Sequence, residues 1–494
     1  MELNVIPRTQ TVNQADLAAG PSTIAIIGGG FSGSMLAVEL LRRAVENVSI
    51  VLIERAPVPG RGVAYGTPFE GHLLNVRAKN MSAYAAVPDH FVKWAQLHYS
   101  SSVKPDDFLP RPIYGQYISS QLCDAIGHSA GQFRWIQEEA VALDRRGQCF
   151  EIRLASGQTL LADKIVLALG NFPPADLQIP GKTPACSRYV GNPWSPNALN
   201  QLAQVDDVLL IGSGLTSVDV TVDLRARGFQ GTIHILSRRG LLPLRHNAIP
   251  TPPFRIDDAP RTVRGLLRMI RVQVKAAEAR GSNWREVVDS LRPVTQQIWR
   301  SLPHAEQRRF LRHVRTYWDV HRHRIAERIA DQLALQLRSG QIVIHAGRIT
   351  EYAQVADGVD ITYRQRKSGR LTKFHVDRVV NCTGPEGDYR RVGSPLLSSL
   401  LEKQFVRPDE LALGLDVAQD GAIVNSQDSP SNSIYALGPL RKGKLWESVA
   451  VPELRVQVAE LANLLAGQFS AVSRSSVLDA ATPAGSEVLA SVRV

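Results

Sequence analysis

Two glycine-rich turns have the spacing that accommodates a nucleotide phosphate. In the first turn, residues 28–33, Gly28, Gly30 and Gly33 complete the pattern GxGxxG. The first glycine of this pattern permits a tight bend, the second lets the backbone approach a pyrophosphate, and the third lets a helix pack closely on a strand. The alternative is a tight turn with a purely structural role.

The segments around the first turn complete a βαβ unit. A strand over 23–28 precedes it, a helix is predicted over 34–44, and a second strand over 48–54 ends at Glu54. An acidic residue roughly 20 positions beyond the glycines suits the two hydroxyls of a ribose. The predicted nucleotide site therefore includes, besides the three glycines, Phe31, Ser32, Glu54 and Arg55.

The second turn, residues 212–217, follows a strand over 207–212 and opens a helix that is predicted to end near Arg227. Ser217 stands at the third glycine position, where a small residue still lets the helix lie close. The predicted contacts of this turn are Gly212, Gly214, Leu215 and Thr216.

The next strand, 232–240, carries Ser237, Arg238 and Arg239 where an NAD site would have a carboxylate. Two guanidinium groups beside a hydroxyl suit a 2′-phosphate. We therefore predict NADPH as the second nucleotide. NADH stays open, as does an exposed basic turn without a ligand.

Two further apolar segments, 162–171 and 376–387, turn at Gly170 and Gly384 and close the nucleotide units. This pattern predicts an α/β protein of two Rossmann-like dinucleotide-binding domains, the second inserted in the first. The predicted parts are a flexible N-terminus (1–21), an FAD domain (22–172 and 385–465), an NAD(P)H domain (173–384) with a basic helical insert (255–335), and a flexible tail (466–494).

The C-terminal part supplies a strand, a glycine turn and a helix that is predicted to begin near Val451. The amino end of this helix should lie under a flavin ring, where the helix dipole stabilises anionic reduced flavin. The residues that we assign to the FAD site here are Gly438, Trp446, Pro452 and Glu453.

Length and composition indicate a globular protein, since 44% of the 494 residues are apolar. The start has no basic segment followed by an apolar core, and no run reaches the roughly 18 apolar residues of a membrane span. We expect a cytoplasmic enzyme without membrane contact. Oligomeric state leaves no trace in the sequence, so a homo-oligomer stays open.

Most of the net charge of +11 is local, because residues 255–328 hold 17 Lys and Arg against 8 Asp and Glu. Phe310, Val314 and Trp318 are spaced four apart, as on one face of a helix. The stretch is either a solvated face over an apolar stripe or a basic wall that attracts phosphorylated cofactors or an anionic substrate. No nucleic-acid motif is present, and we expect no nucleic-acid partner.

Cysteine and histidine spacing argues against two other kinds of site. The four cysteines form no CxxC pair, which excludes a redox-active dithiol of that type. His313, His321 and His323 are the densest histidines, but His321 and His323 would point to different sides of a helix. No metal is expected.

Over roughly 22–465 the chain resembles the FAD/NAD(P)-binding family, which is related to flavin-dependent N-hydroxylating monooxygenases. The motifs that carry the resemblance are GGGFSG (28–33), GVAYGTPFEGHLLNVRAKNMSA (62–83), LPRPIYGQYI (109–118), NPW (192–194), GSGLTSVD (212–219), SRRGLLPLRH (237–246), HVRTYWDVHRHR (313–324), NCTGP (381–385) and GPLRKGKLWESVAVPELR (438–455). Members include FAD-dependent urate hydroxylases, flavoenzymes that oxidise the amine of aspartate to a nitro group, and a hydroxylamine-oxidising flavoprotein. The resemblance implies FAD and a nicotinamide more firmly than it implies a substrate.

Candidate groups near the reacting flavin come from three loops. Asn75, Asn192 and Trp194 are candidate donors to an oxygenated flavin, Asn75 also as an FAD contact, and His246 is a candidate acid or hydrogen-bond donor. Each has a structural alternative, such as an Asn that caps a turn. Ser195 replaces the histidine of a fingerprint that related monooxygenases carry, which argues against a Baeyer-Villiger type reaction.

The sequence thus predicts an NADPH-dependent flavin monooxygenase. It would act on a small nitrogen-containing substrate with O2, through a flavin hydroperoxide. The absence of a Ser-His-Asp or paired-carboxylate pattern agrees with this mechanism. Urate hydroxylation is one alternative, and a flavin reductase or redox sensor is another.

Overall fold

The computed structural model describes residues 21–45, 47–129, 131–182, 187–247 and 259–480. Four parts of the sequence predictions lie outside the described residues: nearly all of the N-terminal segment, Cys186, the first residues of the insert, and residues 481–494 of the tail.

The described part of the chain contains sixteen β-strands and fourteen α-helices. The strands are β1 (Ser22–Ile27), β2 (Val48–Ile53), β3 (Gln132–Ile136), β4 (Ala140–Arg146), β5 (Cys149–Leu154), β6 (Thr159–Ala162), β7 (Lys164–Leu167), β8 (Tyr189–Val190), β9 (Asp207–Ile211), β10 (Thr232–Ser237), β11 (Ile342–Gln354), β12 (Val359–Gln365), β13 (Leu371–Val376), β14 (Arg378–Asn381), β15 (Ala422–Val424) and β16 (Pro430–Ala436). The helices are α1 (Phe31–Arg42), α2 (Gly62–Tyr65), α3 (His90–His98), α4 (Arg111–His128), α5 (Leu215–Ala226), α6 (Val263–Ala279), α7 (Trp284–Ser290), α8 (Thr295–Ser301), α9 (His304–His313), α10 (Arg315–Arg322), α11 (Glu327–Arg338), α12 (Pro395–Glu402), α13 (Lys442–Leu445) and α14 (Val451–Ala480).

The first sheet has the order β15-β16-β7-β1-β2-β3 and is parallel except for β15 at its edge. Its strands are apolar runs because both faces are covered. Ile24 and Ile26 pack in one core with α1, α4 and α14. Ala25 and Ile27 pack in a second core with α12 and the three-stranded sheet β4-β5-β6.

The second sheet has the order β13-β12-β11-β10-β9-β14-β8. All its strands lie between β7 and β15 in the chain, so the chain leaves the first sheet, completes the second, and returns. This path is the one expected when a second domain interrupts the first.

The helical insert, α6 to α11, lies between β10 and β11. The predicted continuous helix through Phe310 and Trp318 is interrupted, because α9 ends at His313 and α10 begins at Arg315. Phe310 and Trp318 nevertheless pack together against Trp299 and Trp446. The insert is thereby fixed to the C-terminal segment before α14.

Helix α14 begins at Val451, as the sequence predicts, and continues to Ala480. Residues 466–480, which were assigned to a flexible tail, therefore belong to a helix. None of the helices in the described part of the chain has the length and apolar character that crossing a membrane requires.

Candidate nucleotide and substrate site

The first turn connects the carboxyl end of β1 to α1. Gly28 has a φ of +103°, and a Cβ there would lie 2.4 Å from the carbonyl oxygen of Ala168. A Cβ at Gly33 would lie 1.9 Å from the carbonyl oxygen of Gly28. Gly30 differs, because its Cβ would meet only Gly62 Cα, at 3.7 Å. The fold itself therefore requires the first and third glycines, whereas the second leaves space for a ligand.

The amino end of α1 carries no side-chain cap, since Gly30 stands at the N-cap position. Helix amino ends with free N–H groups bind phosphate, because the groups and the helix dipole both favour an anion. The Glu54 carboxylate accepts hydrogen bonds from the N–H groups of Gly29, at 2.6 Å, and Ala56, at 2.7 Å. It thus lies at the turn, where a ribose is expected.

Other residues predicted for the first turn have different surroundings. Phe31 is buried against the ring of Tyr114, with the centroids 6.3 Å apart. Arg55 is exposed and its guanidinium lies 3.5 Å from the Glu139 carboxylate. Both residues therefore have contacts within the protein.

Gly438 brings the C-terminal segment to the first turn. It has a φ of +73°, and a Cβ there would lie 3.3 Å from Ser32 Oγ. Its N–H donates to Gln457 Oε1 at 3.2 Å, so α14 supports this position. Ser32 and Gly438, predicted for one nucleotide from distant segments, are therefore neighbours.

The second turn repeats the geometry of the first. Gly212 has a φ of +111°, and a Cβ there would lie 2.4 Å from the carbonyl oxygen of Cys382. Gly214 is the N-cap of α5, has no side-chain cap, and has open space around its Cβ position. Ser217 Oγ donates to Gly214 O at 2.8 Å, and Leu215 and Thr216 form the first turn of α5. Gly170 and Gly384, after β7 and β14, also have open Cβ positions and positive φ angles.

The residues that we predict to bind the 2′-phosphate of NADPH lie at the end of β10. Ser237 Oγ accepts hydrogen bonds from Ser213 Oγ at 2.8 Å and from the Gly240 N–H at 2.9 Å. Arg238 is exposed. Arg239 donates to Tyr317 Oη at 3.0 Å and to the carbonyl oxygen of His313 at 3.3 Å.

A basic groove of about 530 Å³ adjoins this turn, since His313 is one of its lining residues. It lies between α6 and α9. The side chains that line it are Arg264, Arg268, Arg271, Lys275, Arg309 and His313, over Val263, Leu267, Val272 and Val314. Part of the positive charge of the insert therefore lies close to Arg239, where it favours an anionic ligand.

Polar contacts join the two domains near the turns. Arg111 Nη2, on α4, lies 2.9 Å from Asp219 Oδ2, on α5. Burial lowers the pKa of His72, so its ring is neutral; Nε2–H donates to Asp219 O at 3.2 Å and Nδ1 accepts from Thr67 Oγ1 at 2.8 Å. These contacts hold the start of α5 against the first domain.

A buried ionic cluster lies where the insert meets α14. We call Arg292, Arg322, Glu447, Ser448 and Glu453 the insert cluster. Arg292 donates to both carboxylate oxygens of Glu453, at 2.6 and 2.9 Å. Trp318 Nε1 donates to Glu447 Oε1 at 3.0 Å. Among the described residues, no group of His, Cys, Asp and Glu is arranged to hold a metal ion.

A family model matches the first nucleotide unit of the chain. Residues 25–172 match the FAD-NAD(P)-binding family. The resemblance inferred from the motifs is thereby confirmed over this FAD-NAD(P)-binding part of the chain. No curated protein matches the sequence.

Solved structures share the fold at low identity. Ornithine hydroxylase (PvdA) from Pseudomonas aeruginosa is 16% identical, with 92% of this chain and 100% of that chain covered and a TM-score of 0.59. DfoA, the cadaverine monooxygenase from Erwinia amylovora, is 16% identical over 90% and 94% of the chains, with a TM-score of 0.61. Thioredoxin reductase from Lactococcus lactis is 13% identical over 91% and 99%, with a TM-score of 0.51. The predicted α/β class with Rossmann-like units is confirmed, but this fold serves more than one reaction.

Asn75 lies in the FAD-NAD(P)-binding part of the chain and His246 in the second nucleotide unit, and a hydrogen bond joins the two residues. His246 Nε2 lies 3.0 Å from the carbonyl oxygen of Asn75 and must donate to it. Burial, with Arg324 and Arg77 nearby, lowers the pKa of His246 to about 3. The ring is therefore neutral at pH 7 and its one N–H is engaged, so it positions the loop of Asn75 instead of supplying a proton.

Asn192 and Trp194 also have structural contacts. Asn192 Oδ1 accepts from the Trp194 N–H at 3.1 Å, as in an Asx turn. The Trp194 ring packs edge-on against His72, at 5.7 Å between centroids. Trp194 thus lies beside the contact between the two domains.

Two residues that we predict as FAD contacts, Trp446 and Glu453, also contact the insert. The Trp446 ring stacks on Trp299 at 5.1 Å, and Glu453 is engaged by Arg292. Pro452 lies in the first turn of α14, as predicted.

The sequence reasoning did not single out the residues of the interdomain contact and of the insert cluster, namely Arg111, Asp219, Arg292, Arg322, Glu447 and Ser448. Most lie inside the quoted motifs LPRPIYGQYI, GSGLTSVD, HVRTYWDVHRHR and GPLRKGKLWESVAVPELR. Charged residues set among aromatic ones were the available signal.

Proposed function

We propose that this protein is an FAD-dependent, NADPH-reduced monooxygenase that oxidises a small nitrogen-containing substrate, of the amine or hydroxylamine type, with O2. The observation that carries the proposal is the pair of equivalent turns, one on each sheet, each with an uncapped helix and an open middle glycine. A protein that holds FAD and takes electrons from NADPH needs a binding site for each nucleotide, and the two turns can supply them. The family match of residues 25–172 and the names of two structural neighbours, an ornithine hydroxylase and a cadaverine monooxygenase, support this proposal.

In this proposal each nucleotide has its own domain. FAD would bind residues 22–172 and 385–465, through the first turn, Glu54, Ser32 and Gly438. NADPH would bind residues 173–384, through the second turn, Arg238 and Arg239. When bound, FAD would take two electrons from NADPH and, once reduced, activate O2, so that one oxygen atom reaches the substrate nitrogen and the other leaves as water.

The residues of this chain would bind and enclose the reactants. The interdomain contacts of Arg111, Asp219 and His72 would exclude water from the cleft. A disulfide-reductase reaction of the CxxC type has no support, because the sequence contains no such pair. Cys382 is buried and burial raises the pKa of its thiol, which disfavours the reactive thiolate.

Rapid mixing tests the proposed reaction. The purified protein is reduced anaerobically with NADPH and mixed with oxygenated buffer, while the flavin absorbance is followed. We expect a long-lived spectrum distinct from oxidised and reduced flavin, which decays faster when a substrate amine or hydroxylamine is present. Immediate return to oxidised flavin with stoichiometric peroxide, whatever nitrogen compound is added, would favour the reductase or sensor function. If urate is added as the substrate, loss of its absorbance would favour the urate hydroxylase function.

Replacing both arginines at the end of β10 tests the nicotinamide preference. Arg238→Ala with Arg239→Ala should raise KM for NADPH while that for NADH changes little, since only NADPH carries the 2′-phosphate. Loss of a single charged hydrogen bond costs about 1.5–3 kcal/mol, so we expect a change of at least roughly 10- to 100-fold. The matched control is Arg145→Ala with Arg146→Ala, an exposed arginine pair on β4. Equal effects on the two nicotinamides would place the 2′-phosphate elsewhere.

A further inference from the structure

The insert cluster contains polar atoms that the protein itself leaves unsatisfied. Arg322 is 8% exposed, Glu447 is 3% exposed and Ser448 is fully buried. Arg322 Nε and Nη2, Glu447 Oε2 and Ser448 Oγ have no hydrogen-bond partner. Buried polar groups are nearly always hydrogen-bonded, and a buried charge left without partners is costly. Four such atoms in one cluster point to a site that binds a polar ligand.

Neighbouring groups do not supply the missing bonds. Arg322 Nη2 lies 3.9 Å from Glu447 Oε2 and 3.7 Å from Glu453 Oε1, both beyond hydrogen-bonding distance. The Glu453 carboxylate is already engaged in two bonds from Arg292. Glu447 Oε1 is occupied by Trp318, which leaves Oε2 as the free acceptor.

The free atoms define the chemistry of the ligand. Nε and Nη2 form one edge of the guanidinium group, and this edge donates two parallel hydrogen bonds to a carboxylate. The Ser448 hydroxyl is a further donor, whereas Glu447 Oε2 can only accept and therefore suits an amine N–H. Burial alone would raise the pKa of Glu447, but Arg322, His323 and the Trp318 bond hold it below its ordinary value, so the carboxylate is ionised.

We infer that the insert cluster is the substrate-binding site, and that the substrate is a small amine that also carries a carboxylate. Arg322 binds the carboxylate and Glu447 orients the amine. This inference rests on the proposed function, which requires a nitrogen-containing substrate beside the flavin, and we predict the flavin ring at the amino end of α14. Arg322 comes from the insert, which neither βαβ unit requires, and this favours substrate recognition over flavin binding.

Matched pairs of compounds test the inference on the oxidised holoenzyme. In each pair only one compound carries a carboxylate: L-lysine and cadaverine, L-ornithine and putrescine, 4-aminobutyrate and propylamine, β-alanine and ethylamine. We expect at least one compound with the carboxylate to perturb the flavin spectrum with at least roughly 10-fold higher affinity than its partner, as loss of a bidentate charged contact implies. If no pair shows this preference, the inference is overturned.

Variants test whether Arg322 is the residue that binds the carboxylate. Arg322→Gln should abolish the preference within the pair while FAD content and the rate of flavin reduction by NADPH stay unchanged. Arg312→Gln, an exposed arginine on α9 of the same insert, is the matched control and should bind like the wild type. If Arg322→Gln does not fold, Ser448→Ala replaces it and should weaken binding of the same compound. If Arg322→Gln folds and binds the compound as the wild type does, Arg322 is excluded as the carboxylate ligand. If Ser448→Ala binds it as the wild type does, Ser448 is excluded as a donor to the ligand.

The same experiments separate the two proposals. One outcome is that binding depends on the carboxylate and is lost in Arg322→Gln while no bound compound is oxygenated. That result would support the binding site and overturn the monooxygenase function. If the protein oxygenates an amine without a carboxylate and Arg322→Gln does so at the same rate, the monooxygenase function is supported and the proposed binding site is overturned.

Discussion

We expect Gly30→Val to purify as a folded but colourless protein. Gly30 has φ −71° and ψ −163°, which any residue can adopt, and only Gly62 Cα lies within 4 Å of its Cβ position. The added side chain would instead occupy the place where the pyrophosphate approaches the amino end of α1. Overpacking of this kind costs about 1–3 kcal/mol, or roughly 5- to 150-fold in Kd, and lost bonds to the free N–H groups add to it.

The measurement is the ratio of flavin to protein absorbance, with circular dichroism to verify folding. Gly33→Ala is an informative contrast, because its Cβ would collide with the carbonyl oxygen of Gly28. That variant should lose thermal stability as well as FAD. Full FAD content in Gly30→Val would show that the pyrophosphate binds elsewhere.

The equivalent change in the second turn, Gly214→Val, should have the opposite selectivity. Gly214 has φ −88° and ψ −163°, and its Cβ position has open space. We expect wild-type FAD content but loss of flavin reduction by NADPH, since the side chain blocks the amino end of α5. The cost per site is again about 1–3 kcal/mol or more.

Anaerobic stopped-flow reduction measures this effect, and dithionite, which needs no nucleotide site, is the control reductant. If Gly214→Val lost FAD and Gly30→Val lost only reduction by NADPH, the two nucleotides would have to be exchanged between the domains. The pair of variants therefore tests the assignment of both turns at once.

The two turns and their strands were predictable because their signal is local. Gly28 and Gly212 take positive φ angles at which a side chain would be strained, so the residue type itself marks the bend. The order of the motifs along the chain predicts that the second unit interrupts the first, and the strands of the second sheet do lie between β7 and β15. Ser32 and Gly438 were assigned to the same nucleotide from separate motifs, and they are neighbours.

Contacts between distant segments were less predictable. The place of Trp446 and Glu453 before and within α14 predicts contact with FAD, but it does not predict that the insert also contacts both. Sequence spacing does not reveal that residues near 320 pack against residues near 450. His246 was considered as an acid, but the burial and the arginines that keep it neutral exist only in the folded chain.

The construction of the first sheet has a consequence for biosynthesis. Strand β16 pairs with β7, for example at Ile434 and Ile165, although the whole second domain lies between these strands in the chain. During translation the second domain can fold consecutively, whereas the first must wait until most of the chain has left the ribosome. Until then β7 is an apolar strand with an unpaired edge, the feature that promotes aggregation and chaperone binding. The inserted domain is therefore expected to mature before the domain that encloses it.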